Sequence, residues 1–208
     1  MPKTSFFYFD IGGVLLLDYS GTNKWQEMKA NLGITEKTAP AFDAIWQKHR
    51  SRICVDCDVD TLLPLFETIP NIHLPKNYSM ILDFVNRFEQ NPTIWPIAKQ
   101  IKAAMPVGLL TNAYPRMLPA IQQNKLLPNI EWDVVIDSSV VGFQKPQPEI
   151  FALAEQRAQV KPNKIFYVDN KPEFTTAAAA RGWQTMVYDP QNVVESNQKI
   201  IDFLQLEN

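Results

Sequence analysis

Five short apolar runs punctuate the chain, at 5–9, 107–110, 133–136, 165–168 and 185–188. Each is too short for a buried helix and is bounded by polar or turn-forming residues, so each reads as a strand. Residues of helical period fill the spaces between and after the last four. Pro148 and Glu149 open one helix ahead of Ile150, Leu153 and Ala154. A second runs from Lys171 through Ala177 and Ala180 to a stop at Gly182, and a third carries Val193, Val194, Ile200, Ile201 and Leu204. Strands that alternate with helices fold into an α/β architecture with a parallel sheet.

The interval from Thr22 to Glu89 breaks this alternation. Trp25 and Met28, then Phe42, Ile45 and Trp46, then Leu62, Leu63 and Phe66, then Ile81, Phe84, Val85 and Phe88 mark four amphipathic helices, and no run among them reads as a strand. The spacing predicts a helical insertion after the first strand. Residues 1–18 and 92–208 would form the α/β core and 19–91 the helical insert. A chain of 208 residues, 46% of them hydrophobic, can fill one core with such an insertion but not two full cores.

Residues 6–16 read FFYFDIGGVLL. A buried strand here delivers the carboxylate of Asp10 to a turn made by Gly12 and Gly13, residues open to backbone geometry that others avoid. In open parallel sheets, ligands bind beyond the carboxyl ends of the strands. The residues there are Asp10 after the first strand, Thr111 and Asn112 after the second, and Asp169 and Asn170 after the fourth, with Lys145 following the third in GFQKPQPEIF. Singly, each has a plainer reading: a strand-end Asp caps a turn, Thr-Asn or Asp-Asn caps a helix, and a lysine before proline faces solvent. Jointly, an acid, a hydroxyl, a lysine and a second acid on one edge suit a phosphate group and a divalent cation.

With these residues in hand, the chain resembles the haloacid dehalogenase superfamily, and most closely its phosphatases with a helical cap inserted after the first motif. FFYFDIGGVLL is similar to motif I, LLTNAY to motif II, VGFQKPQPEIF to motif III and IFYVDNKPEFTTAAAARGW to motif IV. The resemblance implies a three-layer Rossmann-like core and a magnesium-dependent phosphomonoesterase acting on a small phosphorylated metabolite. It implies that Asp10 attacks phosphorus to form an aspartyl phosphate, that Lys145 neutralises charge, and that Thr111, Asn112 and Lys145 hold the phosphoryl oxygens. Magnesium would be held by Asp10, the carbonyl of Gly12, and Asp169 or Asn170. The insert would close over the site and select the substrate.

Two positions depart from that pattern. A second aspartate commonly stands two residues after the nucleophile, as the acid for the leaving alcohol, and here it is Gly12. Some capped relatives share this glycine, which leaves proton donation to water or to the cap. Motif IV commonly reads Asp-Asp where this chain has Asp169-Asn170. Either Asn170 is the metal ligand, or Asp169 is, with Glu173 as its partner. The alternative reading is a weakly active or non-catalytic phosphate-binding relative. A 2-haloacid dehalogenase fits less well, since no arginine precedes Arg50 and motif IV lacks the Ser-Ser-Asn of those enzymes.

Composition bounds the partners. Twenty basic against 22 acidic residues leave a net charge of -2, which supplies no field for nucleic acid or an anionic membrane. The start MPKTSFFYFDIGG has no secretory pattern, and a cytoplasmic protein is expected. Cys54 and Cys57 form CVDC between His49 and His73, a spacing that matches no familiar zinc pattern; reduced thiols are the simpler expectation. Lys24, Arg50 and Arg52 are candidate substrate cations in the insert.

Overall fold

The computed structural model describes residues 4–206. In chain order the elements are β1 (Phe6–Phe9), β2 (Leu16–Leu17), α1 (Lys24–Asn31), α2 (Ala39–His49), α3 (Leu63–Phe66), α4 (Met80–Asn86), β3 (Glu89–Gln90), α5 (Trp95–Ala104) and β4 (Val107–Thr111). They continue as α6 (Met117–Gln123), β5 (Val134–Asp137), α7 (Ser138–Val141), α8 (Pro148–Ala158), β6 (Ile165–Asp169), α9 (Pro172–Ala179), β7 (Gln184–Val187) and α10 (Val193–Leu206). No helix among the described residues is long and apolar enough to cross a membrane.

The five expected strands form one sheet in the order β5-β4-β1-β6-β7, and every pairing in it is parallel. β1 is central and buried on both faces, which is why it is continuously apolar rather than alternating. Phe7 and Phe9 face one core with Val107, Leu109, Phe166 and Val168, while Phe6 and Tyr8 face the other with Leu110, Ile165 and Tyr167. α5, α6 and α10 contribute Ile101, Leu118 and Ile200 to the first core, and α8 and α9 contribute Phe151, Ala154 and Ala178 to the second. The result is three layers, helix on sheet on helix. Tyr8 donates to the Ala154 carbonyl at 2.9 Å, fixing α8 on its face, and a Cβ at Gly108 would collide with the Tyr8 ring.

Helices α1–α4 lie between β2 and β3, two-residue strands that pair antiparallel with Leu16 opposite Gln90 and Leu17 opposite Glu89. This ribbon has no counterpart in the sequence expectation, which allowed no strand as far as Glu89. Two residues per strand are too few to carry periodicity, and both residues of β3 are exposed. Helix α5, ahead of β4, also has no counterpart in that expectation; the other differences are at ends: Leu62 belongs to a 3₁₀ turn, Phe88 lies beyond α4, and Thr111 and Asp169 are the last residues of their strands. The apolar side chains of α1–α4, Met28, Phe42, Phe66 and Phe84 among them, join the same core as Phe7 and Phe9. Arg116, just before α6, pairs with Asp58 at 2.5 Å and Asp60 at 2.7 Å, so the helical segment is also tied to the sheet layer by charge.

Candidate active site

All of the expected strand-end residues reach one edge. Asp10 extends β1 by one rung, its N–H donating to the Val168 carbonyl at 2.9 Å. The chain then reverses tightly. The N–H groups of Leu15 and Leu16 donate to the Ile11 carbonyl at 3.0 and 3.1 Å, and that of Gly13 donates to the Leu16 carbonyl at 2.8 Å. Gly13 has a φ of 73°, and a Cβ there would overlap the Asn170 carboxamide, so both backbone and space demand glycine. At Gly12 the constraint is space alone: a Cβ would lie 2.5 Å from Oδ2 of Asp18.

Lys145 is the centre of the site. Its ammonium lies 3.0 Å from Oδ1 of Asp10 and 2.7 Å from Oδ2 of Asp169, and it donates to the Leu110 carbonyl at 2.9 Å. Asn112 holds the Lys145 backbone from both sides, accepting from its N–H at 2.8 Å and donating to its carbonyl at 2.9 Å. The Asn112 side chain is thus engaged in placing the lysine. Tyr167 adds its hydroxyl, bonded to both Lys145 Nζ and Asp169.

The three charged groups are buried, Asp169 wholly, Lys145 at 2% exposure and Asp10 at 7%. Burial first, and the Asp169 charge second, push the Asp10 carboxyl up to about 7 against the pull of Lys145. Burial opposes the Lys145 charge, but Asp10 and Asp169 outweigh it and hold the ammonium above its usual range. Asp169 has no vacant oxygen, because Oδ1 accepts from the Lys171 N–H at 2.7 Å. Lys145, Tyr167 and the Lys171 backbone are its partners rather than Glu173. Asn170 instead lines the cleft, donating to Oγ of Ser20 at 2.8 Å.

The cleft above these groups has a volume of about 680 Å³ and is bordered by Asp10, Thr111 and Lys145 below and by Arg50 from the helical segment. Lys24 pairs instead with Glu89 at 2.7 Å and Arg52 with Asp56 at 2.9 Å. A smaller cavity of about 260 Å³, walled by Tyr19, Trp25, Phe84 and Phe88, shares Asp18, Cys54, Asn112 and Tyr114 with the cleft. Cys54 also borders the cleft, and burial pushes its thiol up to about 12; Cys57 is buried and both thiols are free. Among the described residues, no three His, Cys, Asp or Glu side chains cluster as metal ligands.

Sequence reasoning missed Tyr167 and Asp18. Tyr167 stands two residues before Asp169 on the same strand face, a placement readable from strand period once Asp169 is singled out. Asp18 carries no such signal, because its approach to Gly12 depends on the reversal at 11–16.

A family model for haloacid dehalogenase-like hydrolases matches residues 7–182. Among solved structures, a HAD-like family hydrolase of Porphyromonas gingivalis superposes with a TM-score of 0.73 at 18% identity, covering 96% of this chain and 98% of that one. A HAD family enzyme of Bacteroides thetaiotaomicron, solved with magnesium and inorganic phosphate, gives a TM-score of 0.68 at 15% identity over 88% of this chain and 93% of that one. In sequence, the chain is 27% identical over 129 residues to acyl-CoA dehydrogenase family member 10 of Mus musculus. That match takes in 61% of this chain and only 12% of the mouse protein. With the family model spanning all four strand-end motifs on a matching three-layer fold, the chain belongs to the haloacid dehalogenase-like hydrolases.

Proposed function

We propose that this hydrolase is a magnesium-dependent phosphomonoesterase that works through an aspartyl phosphate on Asp10 and takes a small phosphorylated metabolite. The observation that carries the reading is the buried ammonium of Lys145 between two carboxylates, under a cleft that Arg50 borders. A phosphoryl group needs positioning and charge neutralisation more than covalent chemistry from a protein, and this arrangement offers both. Lys145 holds Asp10 in line and balances the charge that grows on the phosphoryl oxygens. The Thr111 hydroxyl donates to the same oxygens.

The donors that could hold a metal are all oxygen. The carboxylate of Asp10 and the carboxamide of Asn170 border the cleft together, a hard and sparse set that suits magnesium, which keeps several waters. Asp169, with both oxygens engaged, is left to position Lys145. Once bound, the cation would neutralise charge between Asp10 and the phosphoryl group. The Bacteroides relative solved with magnesium and phosphate supports the same reading.

Residues 19–91 act in this scheme as a cap over the core formed by 1–18 and 92–208, with Arg50 its contribution to the phosphate end. The free thiols of Cys54 and Cys57 suit the cytoplasm. A panel of phosphate monoesters assayed with magnesium and with chelator tests the proposal. Magnesium-dependent release of phosphate by the native chain, lost in Asp10→Asn, is the expected result. Release of halide from a 2-haloacid without phosphate release would overturn it.

A further inference from the structure

We infer that Asp18 supplies the carboxyl group that position 12 lacks, donating a proton to the leaving oxygen and later taking one from the attacking water. The inference rests on the phosphomonoesterase reading and adds to it the proton carrier that the sequence leaves unassigned.

Asp18 sits against Gly12. Oδ2 of Asp18 lies 2.5 Å from where a Cβ at Gly12 would be, so its carboxylate fills the volume in which a side chain at 12 would begin. The fold holds it there. The reversal at 11–16 returns the chain alongside motif I, with Gly12 bridged to Leu16. Asn91 Nδ2 donates to the Val14 carbonyl at 2.8 Å and Trp95 Nε1 to the Leu15 carbonyl at 2.9 Å, clamping the turn. Ser20 is anchored to motif IV by the Asn170 carboxamide.

Asp18 also has an ordinary structural duty, as Oδ1 accepts from the Ser20 N–H at 2.8 Å to close a turn. An asparagine would do that equally well. What the turn does not use is Oδ2, and among the described residues no cation pairs with Asp18. Asp18 lines the cleft that contains Asp10 and also the aromatic cavity beside it, and of the residues that line both it is the one with a carboxyl group.

An Asp10 oxygen bonds to phosphorus as the ester P–O bond breaks, and the protonated Asp18 carboxyl gives its proton to the departing alkoxide, which leaves as the alcohol. The Asp18 carboxylate then takes a proton from water as that water bonds to phosphorus and the P–O bond to Asp10 breaks. Phosphate departs with Asp10 ionised and Asp18 protonated again.

The test uses para-nitrophenyl phosphate, whose leaving group needs no proton, and 2-glycerol phosphate, whose leaving group does. Asp18→Asn keeps the turn acceptor. It should lower steady turnover of the glycerol ester by about 10²- to 10⁴-fold. With the nitrophenyl ester it should release one nitrophenolate per enzyme in a fast burst before slow turnover, as the phosphoenzyme accumulates. A relocated carboxylate, in Asp18→Gly combined with Gly12→Asp, should recover at least tenfold of the glycerol ester rate over Asp18→Gly alone, and it keeps the question open to refutation should Asp18→Asn fold poorly. Unchanged turnover in Asp18→Asn, or equal losses on both esters without a burst, would overturn the assignment while leaving the phosphatase reading in place. Absence of any Asp10-dependent turnover in the native chain would overturn both.

Discussion

The ammonium of Lys145 lies closer to Asp169, at 2.7 Å, than to Asp10, at 3.0 Å, so the carboxylate without a proposed covalent role holds the lysine more tightly than the proposed nucleophile does. Asp169, wholly buried, is a fixed counterion, whereas Asp10 borders the cleft.

Removing the shared cation leaves two buried carboxylates facing one another. Lys145→Met is expected to cost about 3–5 kcal/mol, the usual penalty for breaking a buried pair from one side. Urea denaturation checks the stability, and phosphate release should fall below detection in the same variant. Lys145→Arg should not restore it, since the planar guanidinium cannot reproduce the contacts to Leu110, Tyr167 and both acids.

Asp10 should make stability depend on pH. The folded chain holds the Asp10 proton up to about 7, whereas the unfolded chain releases it near 4. This contribution is therefore fully present below about 4 and is lost as pH rises through about 7. Urea midpoints measured in chelator should fall between pH 5 and pH 8, and Asp10→Asn should flatten that decline. A native midpoint that rises across this interval, with Asp10→Asn following the same course, would contradict it.

Asn170 and Asp169 should respond differently to charge changes. Asn170→Asp adds a full charge beside the cation and should lower the magnesium concentration for half-maximal activity severalfold. Asp169→Asn should instead destabilise the fold, because it strips Lys145 of its nearest counterion. A magnesium titration and a thermal melt of both variants separate the two roles.

The stability of the helical segment depends on Asp60 more than on the arginine that ties it to the core. Besides pairing with Arg116, Asp60 accepts from the N–H groups of Met80 and Ile81 at 2.7 and 3.2 Å and from the Ser79 hydroxyl at 2.6 Å. Asp60→Ala should cost about 1–2 kcal/mol through the start of α4, against less than about 1 kcal/mol for the half-exposed Arg116→Ala. Melts of the two single variants and the double variant give the coupling.

Much of this site was readable before the fold, for a simple reason. In a parallel sheet every strand ends on the same edge, so Asp10, Thr111 and Asp169 had to converge once their runs were recognised as strands. Lys145 is not on a strand, and its arrival depends on the Asn112 clamp, yet the motif around it located it. That Asp169 turns to Lys145 while Asn170 turns to Ser20 needed the hydrogen bonds themselves, since adjacent residues differ only in which way they face. Asp18 was out of reach altogether: nothing in DYSGT distinguishes it from a solvated turn until the glycines ahead of it are seen to leave it room.

The pairing of Leu17 with Glu89 makes the helical excursion leave and rejoin the sheet domain at neighbouring points. Anything threaded between those points is, to the rest of the chain, a loop, and doubling a loop's length costs only about 0.6 kcal/mol of closure entropy. Lineages, or engineers, can therefore exchange the excursion while the strand-end acids stay in place. Asp18 is the first residue on the exchangeable side of β2. A graft spliced directly after Leu17 would carry away the proton carrier with the old specificity, whereas one spliced after Ser20 would retain it, so the splice point itself decides whether a chimera inherits chemistry or only shape.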